Sequence, residues 1–200
     1  VVLSTGTRQQ QNQIIDKTLP IIHKYFPLKA TVVKGRDNYL CLRKYSFYLN
    51  HRKDKLSQED REHFLTLIPW LAITQTGEIS ENSGFNPLRN RILWQKLKGD
   101  GRTCQGPSCQ EEFKCFSFKA RERAVKSQLL IINHALFFKD LEFDFALLPS
   151  WDRIIFDEAH QLIKQGPQHL GQHLMFYTLR NHFQLIHNPY AQSTGLIHAL

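Results

Sequence analysis

The 200-residue sequence lacks the features that mark membrane-spanning and secreted proteins. Its longest apolar run is far below the roughly 18–20 residues of a membrane span. Its first three residues, Val1-Val2-Leu3, lead into Ser-Thr-Gly-Thr and not into the apolar stretch of a secretory signal. The four cysteines are too few for a disulfide scaffold. We therefore expect a cytoplasmic protein with no membrane partner.

Two further absences concern the start of the chain and nucleotide chemistry. Position 1 is not methionine and the chain opens in a strand-like segment, so we expect a piece of a longer protein. No G-x-x-x-x-G-K-[Ser/Thr] phosphate loop occurs, so that cradle for β- and γ-phosphates is missing from this sequence. His169 and His173 lack the glutamate of an H-E-x-x-H zinc motif and are interpreted as surface histidines.

The composition that is present is globular and basic. Hydrophobic residues make up 42% and charged residues 22%, which excludes a wholly disordered chain. Lysine and arginine number 26 against 18 acidic residues, giving a net charge of +8. This balance favours a polyanionic partner, nucleic acid before a membrane surface.

Short buried strands alternate with helices at both ends of the chain, and this alternation predicts an α/β fold with a doubly wound sheet. A basic, aromatic and turn-rich stretch near 41–118 predicts an insertion that is mostly helical. Thr7 and Gln10 fit a capping box, so a helix should start near Arg8, and Pro20 should kink or restart it. Strands are predicted at 1–7, 29–33, 129–132 and 151–156, and a helix is predicted at 57–71.

The clearest motif of a catalytic kind is Asp157-Glu158-Ala159-His160, which directly follows the apolar run Ile154-Ile155-Phe156. Ligands of open α/β sheets bind at the carboxyl ends of strands. Asp157 could hold Mg²⁺ there, and Glu158 could polarise an attacking water. The alternative is an acidic strand end that caps the next helix.

The cysteines form a set of three plus one. Cys104, Cys109 and Cys115 follow the spacing C-x4-C-x5-C, and Cys41 lies far upstream. Structural zinc sites usually pair ligands as two plus two, whereas this set is nearer to ferredoxin-type ligation of an iron–sulfur cluster. Zinc and four free cysteines stay open as alternatives. The cysteine loop has few apolar residues, and a bound metal would supply the order that burial cannot.

Two weaker signals point to phosphates and nucleic acid. Ser4-Thr5-Gly6-Thr7 precedes a glutamine-rich helix, where main-chain N–H groups and threonine hydroxyls suit a phosphate contact. A plain helix cap explains the same residues. Basic and aromatic side chains crowd 34–55, a pattern suited to single-stranded nucleic acid, although a solvated charged face is the alternative.

Taken together, these motifs resemble the DinG/XPD group of superfamily 2 iron–sulfur DNA helicases, most closely the bacterial DinG-like branch. The resemblance covers residues 1 to about 165. It rests on Ser4-Thr5-Gly6-Thr7, Lys34-Gly35-Arg36-Asp37-Asn38-Tyr39-Leu40-Cys41, the cysteine triplet, Ala120-Arg121, Ile132-Asn133-His134-Ala135-Leu136 and Asp157-Glu158-Ala159-His160.

The resemblance implies pieces of a RecA-like motor domain at 1–40 and 116–164, a cluster insertion at 41–115 and the start of a helical arch at 165–200. It implies a [4Fe–4S] cluster on the four cysteines. Asp157 would serve Mg²⁺, Glu158 would activate the hydrolytic water, and His160 would couple the nucleotide state to DNA. Thr5, Thr7 and Arg36 would contact DNA.

The activity implied is ATP-driven 5′ to 3′ translocation on single-stranded DNA with unwinding of forked duplex, in DNA repair or replication. Because the phosphate loop and the second motor domain are absent from this sequence, we expect the isolated chain not to hydrolyse ATP. Three alternatives are a metal-stapled nucleic-acid-binding module without motor activity, an iron–sulfur electron carrier and a helicase fused to a nuclease.

Overall fold

The centre of the fold is a parallel four-stranded sheet. The computed structural model describes residues 1–51, 55–101 and 103–170. The strand order is β2-β3-β1-β4, and every neighbouring pair runs parallel. This arrangement confirms the predicted α/β class. The strands are β1 (Val2–Thr5), β2 (Ala30–Val32), β3 (Leu129–Asn133) and β4 (Ile154–Phe156).

The burial of each strand follows its place in the sheet. The interior strand β3 buries Leu130, Ile131 and Ile132, as its uninterrupted apolar run predicts. The strand predicted at 151–156 is shorter, and its prediction as a buried strand is wrong. Because β4 lies at an edge of the described sheet, the Ile155 side chain is 55% exposed.

The first helical segment begins as the sequence predicts. The Thr7 side chain accepts a hydrogen bond from the Gln10 N–H, and the Gln10 side chain accepts one from the Thr7 N–H, which completes the capping box. A π-helical turn then precedes Pro20, which is the second residue of the next helical segment, and the backbone stays helical across the junction. The interruption predicted at Pro20 takes the form of this π turn within a continuous helical course, and the segments are α1 (Arg8–Gln13), the π-helix Ile14–Thr18 and α2 (Leu19–His23).

A long segment with its own core joins β2 to β3. Phe64, Leu67, Leu93 and Leu97 are fully buried in a cluster that contains no residue of the sheet. The sheet has a separate cluster that includes Val2, Leu130 and Ile132. The helices of the segment are α3 (Leu42–Asn50), α4 (Gln58–Leu65), α5 (Leu67–Ile73), α6 (Arg91–Leu97) and α7 (Phe116–Val125).

Contacts beside the end of β2 attach the inserted segment to the sheet. Lys34 and Glu78 form an ion pair between largely buried side chains. Tyr39 pairs with Glu78 in an isolated bridge, and burial, followed by the Glu78 carboxylate, raises the pKa of Tyr39 to about 12. The helix α7 packs against β2 and returns the chain to β3, so it serves as the crossover helix of that parallel pair.

The helix predicted at 57–71 is divided in two. The chain breaks its helical course at Thr66, and α5 starts at Leu67 with Pro69 in its first turn. Proline is tolerated in a first turn because those N–H groups have no partner within the helix. The predicted start is confirmed, since the Ser57 hydroxyl accepts a hydrogen bond of 3.1 Å from the Asp60 N–H.

Replacing Ser57 by alanine should lower the free energy of unfolding by about 1 kcal/mol, because the Asp60 N–H loses its capping acceptor. Urea denaturation followed by circular dichroism measures the change. The exposed Ser83 provides the control, and Ser83→Ala should stay within about 0.5 kcal/mol of the parent chain. Equal effects of the two changes would contradict the capping role.

Tyr45 gives the inserted core a pH dependence on the alkaline side. Its ring stacks on Phe64 at 4.9 Å, and burial raises the pKa of Tyr45 above its ordinary value of 10.0. The unfolded chain therefore loses the phenolic proton at lower pH than the folded chain does. The Tyr45 contribution is complete below pH 10 and is lost as the pH rises through the folded pKa. Urea denaturation at pH 8 and 10.5 should show a smaller loss of stability in Tyr45→Phe than in the parent chain, and identical losses would contradict this.

Two final observations concern the helices of the described residues. No helix among residues 1–51, 55–101 and 103–170 is both long and apolar enough to cross a membrane. Strand β3 leads into α8 (His134–Glu142), and α9 (His160–Leu170) follows β4. The predicted arch at 165–200 lies mostly outside the described residues.

Candidate functional site

Three segments chosen from the sequence meet at the carboxyl edge of the sheet. Thr5 ends β1, Asn133 ends β3, and Asp157 follows the last residue of β4. Since β1 pairs with both β3 and β4 in parallel register, these ends lie side by side. Open parallel sheets bind their ligands at this kind of edge.

Ser4 joins the segments after β3 and β4. Its main-chain carbonyl accepts a 2.8 Å hydrogen bond from the Asp157 N–H. Its hydroxyl lies 2.7 Å from Nδ1 of His134, and both side chains are buried. Burial lowers the pKa of His134, while the main chain and the carboxylate of Asp157 act in the opposite direction. His134 is therefore a neutral imidazole packed beneath the acidic segment.

The acidic segment faces solvent in an unusual backbone conformation. Asp157, Glu158 and His160 are exposed, and the Glu158 carboxylate lies 3.3 Å from Nδ1 of His160. Glu158 has a φ of 54°, in the left-handed region that residues other than glycine seldom adopt. Asp157 makes no ion pair within the described part of the chain. The free Asp157 carboxylate is the kind of single oxygen donor that a magnesium ion takes while it retains several of its waters.

The two threonines after β1 differ in exposure. Thr5 is fully buried, and its hydroxyl donates to the carbonyls of Thr7 and Ile132. Thr7 is exposed, although its side chain already caps α1. Between them Gly6 packs so tightly on Gln161 of α9 that a Cβ atom would collide with that side chain. A DNA contact at either threonine stays a prediction.

The cysteines lie where helices begin and in the loop before α7. Cys41 is the N-cap residue of α3 and Cys115 that of α7, whereas Cys104 and Cys109 belong to the loop. The loop contains two 3₁₀ turns, Gly106–Ser108 and Glu112–Lys114. Arg43 of α3 ties the loop down by donating a 2.8 Å hydrogen bond to the Thr103 carbonyl.

The thiol environment fits a thiolate-bound group only in part. Burial raises the pKa of the Cys115 thiol, hydrogen bonds from the main chain of Phe118 and Ser117 lower it, and the nearby Cys41 and Cys104 raise it further. All four cysteines are free. Within residues 1–51, 55–101 and 103–170, no three cysteine, histidine or acidic side chains form a group that could hold a metal ion. The donor chemistry suits an iron–sulfur cluster, but a closed ligand shell is not formed.

A basic cleft separates the sheet from the inserted segment. Its volume is about 790 Å³, and Arg36 and Arg121 lie in its wall. Burial and the neighbouring Arg36 guanidinium both lower the pKa of Arg121. Neither arginine has an ion pair among the described residues. Three lysines, Lys34, Lys98 and Lys139, also line the cleft, as do the acidic residues Asp37, Asp100 and Glu142, so basic side chains outnumber acidic ones by five to three.

The sequence patterns did not identify two residues of this region as site residues. Arg121 and His134 belong to the motifs that carry the family resemblance, yet neither was given a role. A histidine directly after a buried strand was the available signal for His134. For Arg121 the sequence offers no signal, because its approach to Arg36 joins positions 85 residues apart.

Comparison with known proteins finds relatives that align with most of the chain. The chain is 32% identical over 183 residues to the ATP-dependent DNA helicase YoaA of Haemophilus influenzae. The aligned region covers 86% of this chain and 28% of that protein. The chain is a DinG/YoaA homologue. The 3′-5′ exonuclease DinG of Bacillus subtilis is 32% identical over 184 residues, covering 90% of the chain and 19% of that protein.

A third relative of the DinG/YoaA homologue is the ATP-dependent helicase DinG of Mycobacterium tuberculosis, which is 30% identical over 181 residues. That match covers 81% of this chain and 27% of the relative. No protein-family model matches the chain. The homologue thus spans between about a fifth and somewhat over a quarter of the lengths of these relatives.

Proposed function

We propose that this chain is part of an ATP-dependent DNA helicase that moves 5′ to 3′ on single-stranded DNA and unwinds forked duplex, in DNA repair or replication. The observation that carries the proposal is the meeting of the Asp157 and Glu158 segment with the end of β1 at one edge of a parallel sheet. The DNA helicase names of the YoaA and DinG relatives support it.

The nucleotide side of the reaction is assigned to the acidic segment. Asp157 would hold Mg²⁺, which neutralises phosphate charge during ATP hydrolysis. Glu158 would accept a proton from the attacking water, since its carboxylate faces solvent beside the strand end. His160, which lies within ion-pair distance of Glu158, would pass the state of the nucleotide to the DNA-binding segments.

The DNA side is assigned to Thr5, Thr7 and Arg36. Thr7 lies exposed at the start of α1, where main-chain N–H groups favour a phosphate. Thr5 is buried, so its part would be to shape the loop that presents Thr7. Arg36 lines the basic cleft beside Arg121, and two guanidinium groups without carboxylate partners among the described residues suit a phosphate backbone.

Cys41, Cys104, Cys109 and Cys115 are proposed to hold a [4Fe–4S] cluster. Cys41 and Cys104 lie near enough to Cys115 to raise the pKa of its thiol, and Cys41 and Cys115 are N-cap residues of helices, which gives their positions rigid support. The bound cluster would hold the cysteine loop in one conformation, because the loop has little apolar side-chain area to bury.

A second candidate is a metal-stapled nucleic-acid-binding module without motor activity. The separate hydrophobic core of the inserted segment favours it, because such a segment can act as a binding unit by itself. The two candidates differ in whether the acidic segment contributes to activity.

Single-strand binding by this chain tests the DNA assignment. Fluorescence anisotropy with a labelled oligonucleotide should show weaker binding by Arg36→Ala, by roughly three- to tenfold, and a salt dependence reduced by about one released counterion. The exposed Arg89 supplies the matched control, since Arg89→Ala removes the same charge far from the cleft. Equal losses of affinity in the two variants would show that Arg36 contributes only nonspecific charge attraction.

ATP hydrolysis by the isolated chain is expected to be absent, because the sequence carries no phosphate-loop motif. A malachite-green phosphate assay, with and without single-stranded DNA, measures this. DNA-stimulated phosphate release that disappears in Glu158→Gln would overturn the expectation, while assigning the catalytic role of Glu158 to this chain directly.

A further inference from the structure

The short stretch that carries Arg36 is anchored at both of its ends. At its start, Val33 follows β2 and its N–H donates a 2.9 Å hydrogen bond to the Ile131 carbonyl of β3. At its end, the Leu40 N–H donates a 3.0 Å hydrogen bond to the Gly77 carbonyl of the inserted segment. Arg36 therefore lies where the chain passes from the sheet to the inserted segment, in the wall of the basic cleft.

An ion pair joins the first part of this stretch to the inserted segment. Lys34 pairs with Glu78, and the two side chains are 7% and 13% exposed. The Ser80 hydroxyl donates to the same carboxylate oxygen of Glu78, so this oxygen accepts from two donors. A buried ammonium group that loses its carboxylate partner is left with an uncompensated charge, which is strongly unfavourable. The pair therefore holds the main chain two residues before Arg36.

A glycine contacts the main chain of Arg36 directly. A Cβ atom added at Gly99 would lie 2.5 Å from the Arg36 carbonyl oxygen, which can move only together with the main chain around it. The Gly99 N–H also donates a 2.9 Å hydrogen bond to the Tyr39 carbonyl. Gly101 lines the same cleft, yet no atom of the described residues lies within 4 Å of a Cβ added there. The close approach is thus particular to position 99.

Lys34 differs from the two arginines of the cleft in its charge partner. Its ammonium group is already paired with Glu78, whereas Arg36 and Arg121 make no ion pair within the described part of the chain. A cation that a buried carboxylate neutralises has little attraction left for a phosphate. The arrangement therefore separates a lysine that anchors the stretch from an arginine that is available to a ligand.

We propose that Glu78 and Gly99 are positioning residues for Arg36: Glu78 anchors Lys34, Gly99 leaves room for the Arg36 main chain, and Lys34 is not itself a DNA contact. This inference rests on the proposed function, in which Arg36 contacts DNA. It predicts that removing the negative charge of Glu78 weakens the binding of a polyanion. By charge alone, the same change would strengthen that binding.

Glu78→Gln tests this difference in direction. Fluorescence anisotropy with a labelled single-stranded oligonucleotide should show binding about three- to tenfold weaker than that of the parent chain. Glu142→Gln is the matched control, because it removes the same charge from the cleft wall without breaking an ion pair of the described residues. The control should bind as tightly as the parent chain or up to about threefold more tightly. Tighter binding by both variants would overturn the proposal, since charge alone would explain it.

Two alanine substitutions test the second contact without changing any charge. Gly99→Ala should weaken oligonucleotide binding by about three- to tenfold, because the added Cβ displaces the main chain of Arg36. Gly101→Ala adds the same methyl group to the same cleft in open space, and its affinity should stay within about twofold of the parent chain. Equal affinities of the two alanine variants would also overturn the proposal.

Amide hydrogen exchange separates failure of this proposal from failure of the DNA assignment. The Leu40 N–H should exchange about tenfold faster in Glu78→Gln than in the parent chain, and Glu142→Gln should leave its exchange unchanged. This measurement uses no DNA. Unchanged exchange at Leu40 in Glu78→Gln would overturn the positioning role, whereas absence of oligonucleotide binding by the parent chain would overturn the DNA assignment.

A measurement on the parent chain decides the matter if Glu78→Gln does not fold. The ¹H–¹⁵N signal of the Lys34 ammonium group should keep its position when the oligonucleotide is added, while the guanidinium signal of Arg36 shifts. Equal shifts of the two signals would make Lys34 a DNA contact and overturn the proposal.

Discussion

Cys115→Ser is expected to abolish bound iron and acid-labile sulfide in chain purified without oxygen. The parent chain should carry about four irons and a broad sulfur-to-iron absorption band, as a [4Fe–4S] cluster requires. Cys115 has the largest expected effect because it is half-buried, is the N-cap residue of α7 and lies where Cys41 and Cys104 raise the pKa of its thiol. A serine oxygen is a poor replacement for a thiolate ligand of iron.

The neighbouring Ser117 provides a control in the first turn of the same helix. Ser117→Ala should retain the iron content and the spectrum of the parent chain. Zinc near one per parent chain, in a colourless and air-stable preparation, would contradict the cluster and favour the metal-stapled binding module. Retention of iron in Cys115→Ser would remove Cys115 from the ligand set.

Phe64→Ala is expected to unfold the inserted segment while the sheet keeps its protection. Phe64 is 0% exposed and stacks on Tyr45, so its removal should cost about 3–5 kcal/mol. Because the sheet cluster around Ile132 shares no buried residue with the inserted core, the loss should stay local. Hydrogen exchange with mass spectrometry should show faster exchange in 42–97 and little change in β1 and β3.

The adjacent residue gives a matched control for this experiment. Leu65 lies on the same helix but is 52% exposed, so Leu65→Ala should change stability by no more than about 0.5 kcal/mol. Loss of protection in β3 together with the inserted segment would contradict the independence of the two cores.

Local sequence patterns predict the elements whose stability is local. The Thr7 and Gln10 capping box starts α1, Ser57 starts α4, and the run 129–132 becomes the buried strand β3. In each case the interaction that decides the outcome lies within a few residues, or follows from an apolar run that only a covered strand can bury.

Other features depend on partners distant in the sequence. The exposure of Ile155 follows from the position of β4 at an edge, which strand order determines and periodicity does not. Pro20 predicts an interruption of the first helix but not its form, which is a π-helical turn. A single helix predicted at 57–71 ignores the proline at position 69, which the structure accommodates by starting α5 afresh.

The candidate site shows the same division. The carboxylates at 157 and 158 were predictable because a buried strand followed directly by acidic residues places them at a sheet edge. The contact of Ser4 with His134 joins two strands 130 residues apart, and only the folded sheet brings them together. Likewise, cysteine spacing predicts a ligand set but not the separation of the thiols, which depends on how the loop lies over α3 and α7.

The way the inserted segment is connected suggests how it can be deleted from the chain. Both of its connections reach the sheet through one β–α–β unit, with the segment placed between β2 and the crossover helix α7. Cys41 and Cys115 stand near the two points of entry and exit. Joining Gly35 to Phe116 through a linker is therefore expected to leave a plain parallel crossover, and the core of the excised segment would stay within one piece of chain. Such an excision would also expose the Phe116 ring of α7, which packs on Leu71 and Gly77 of the segment.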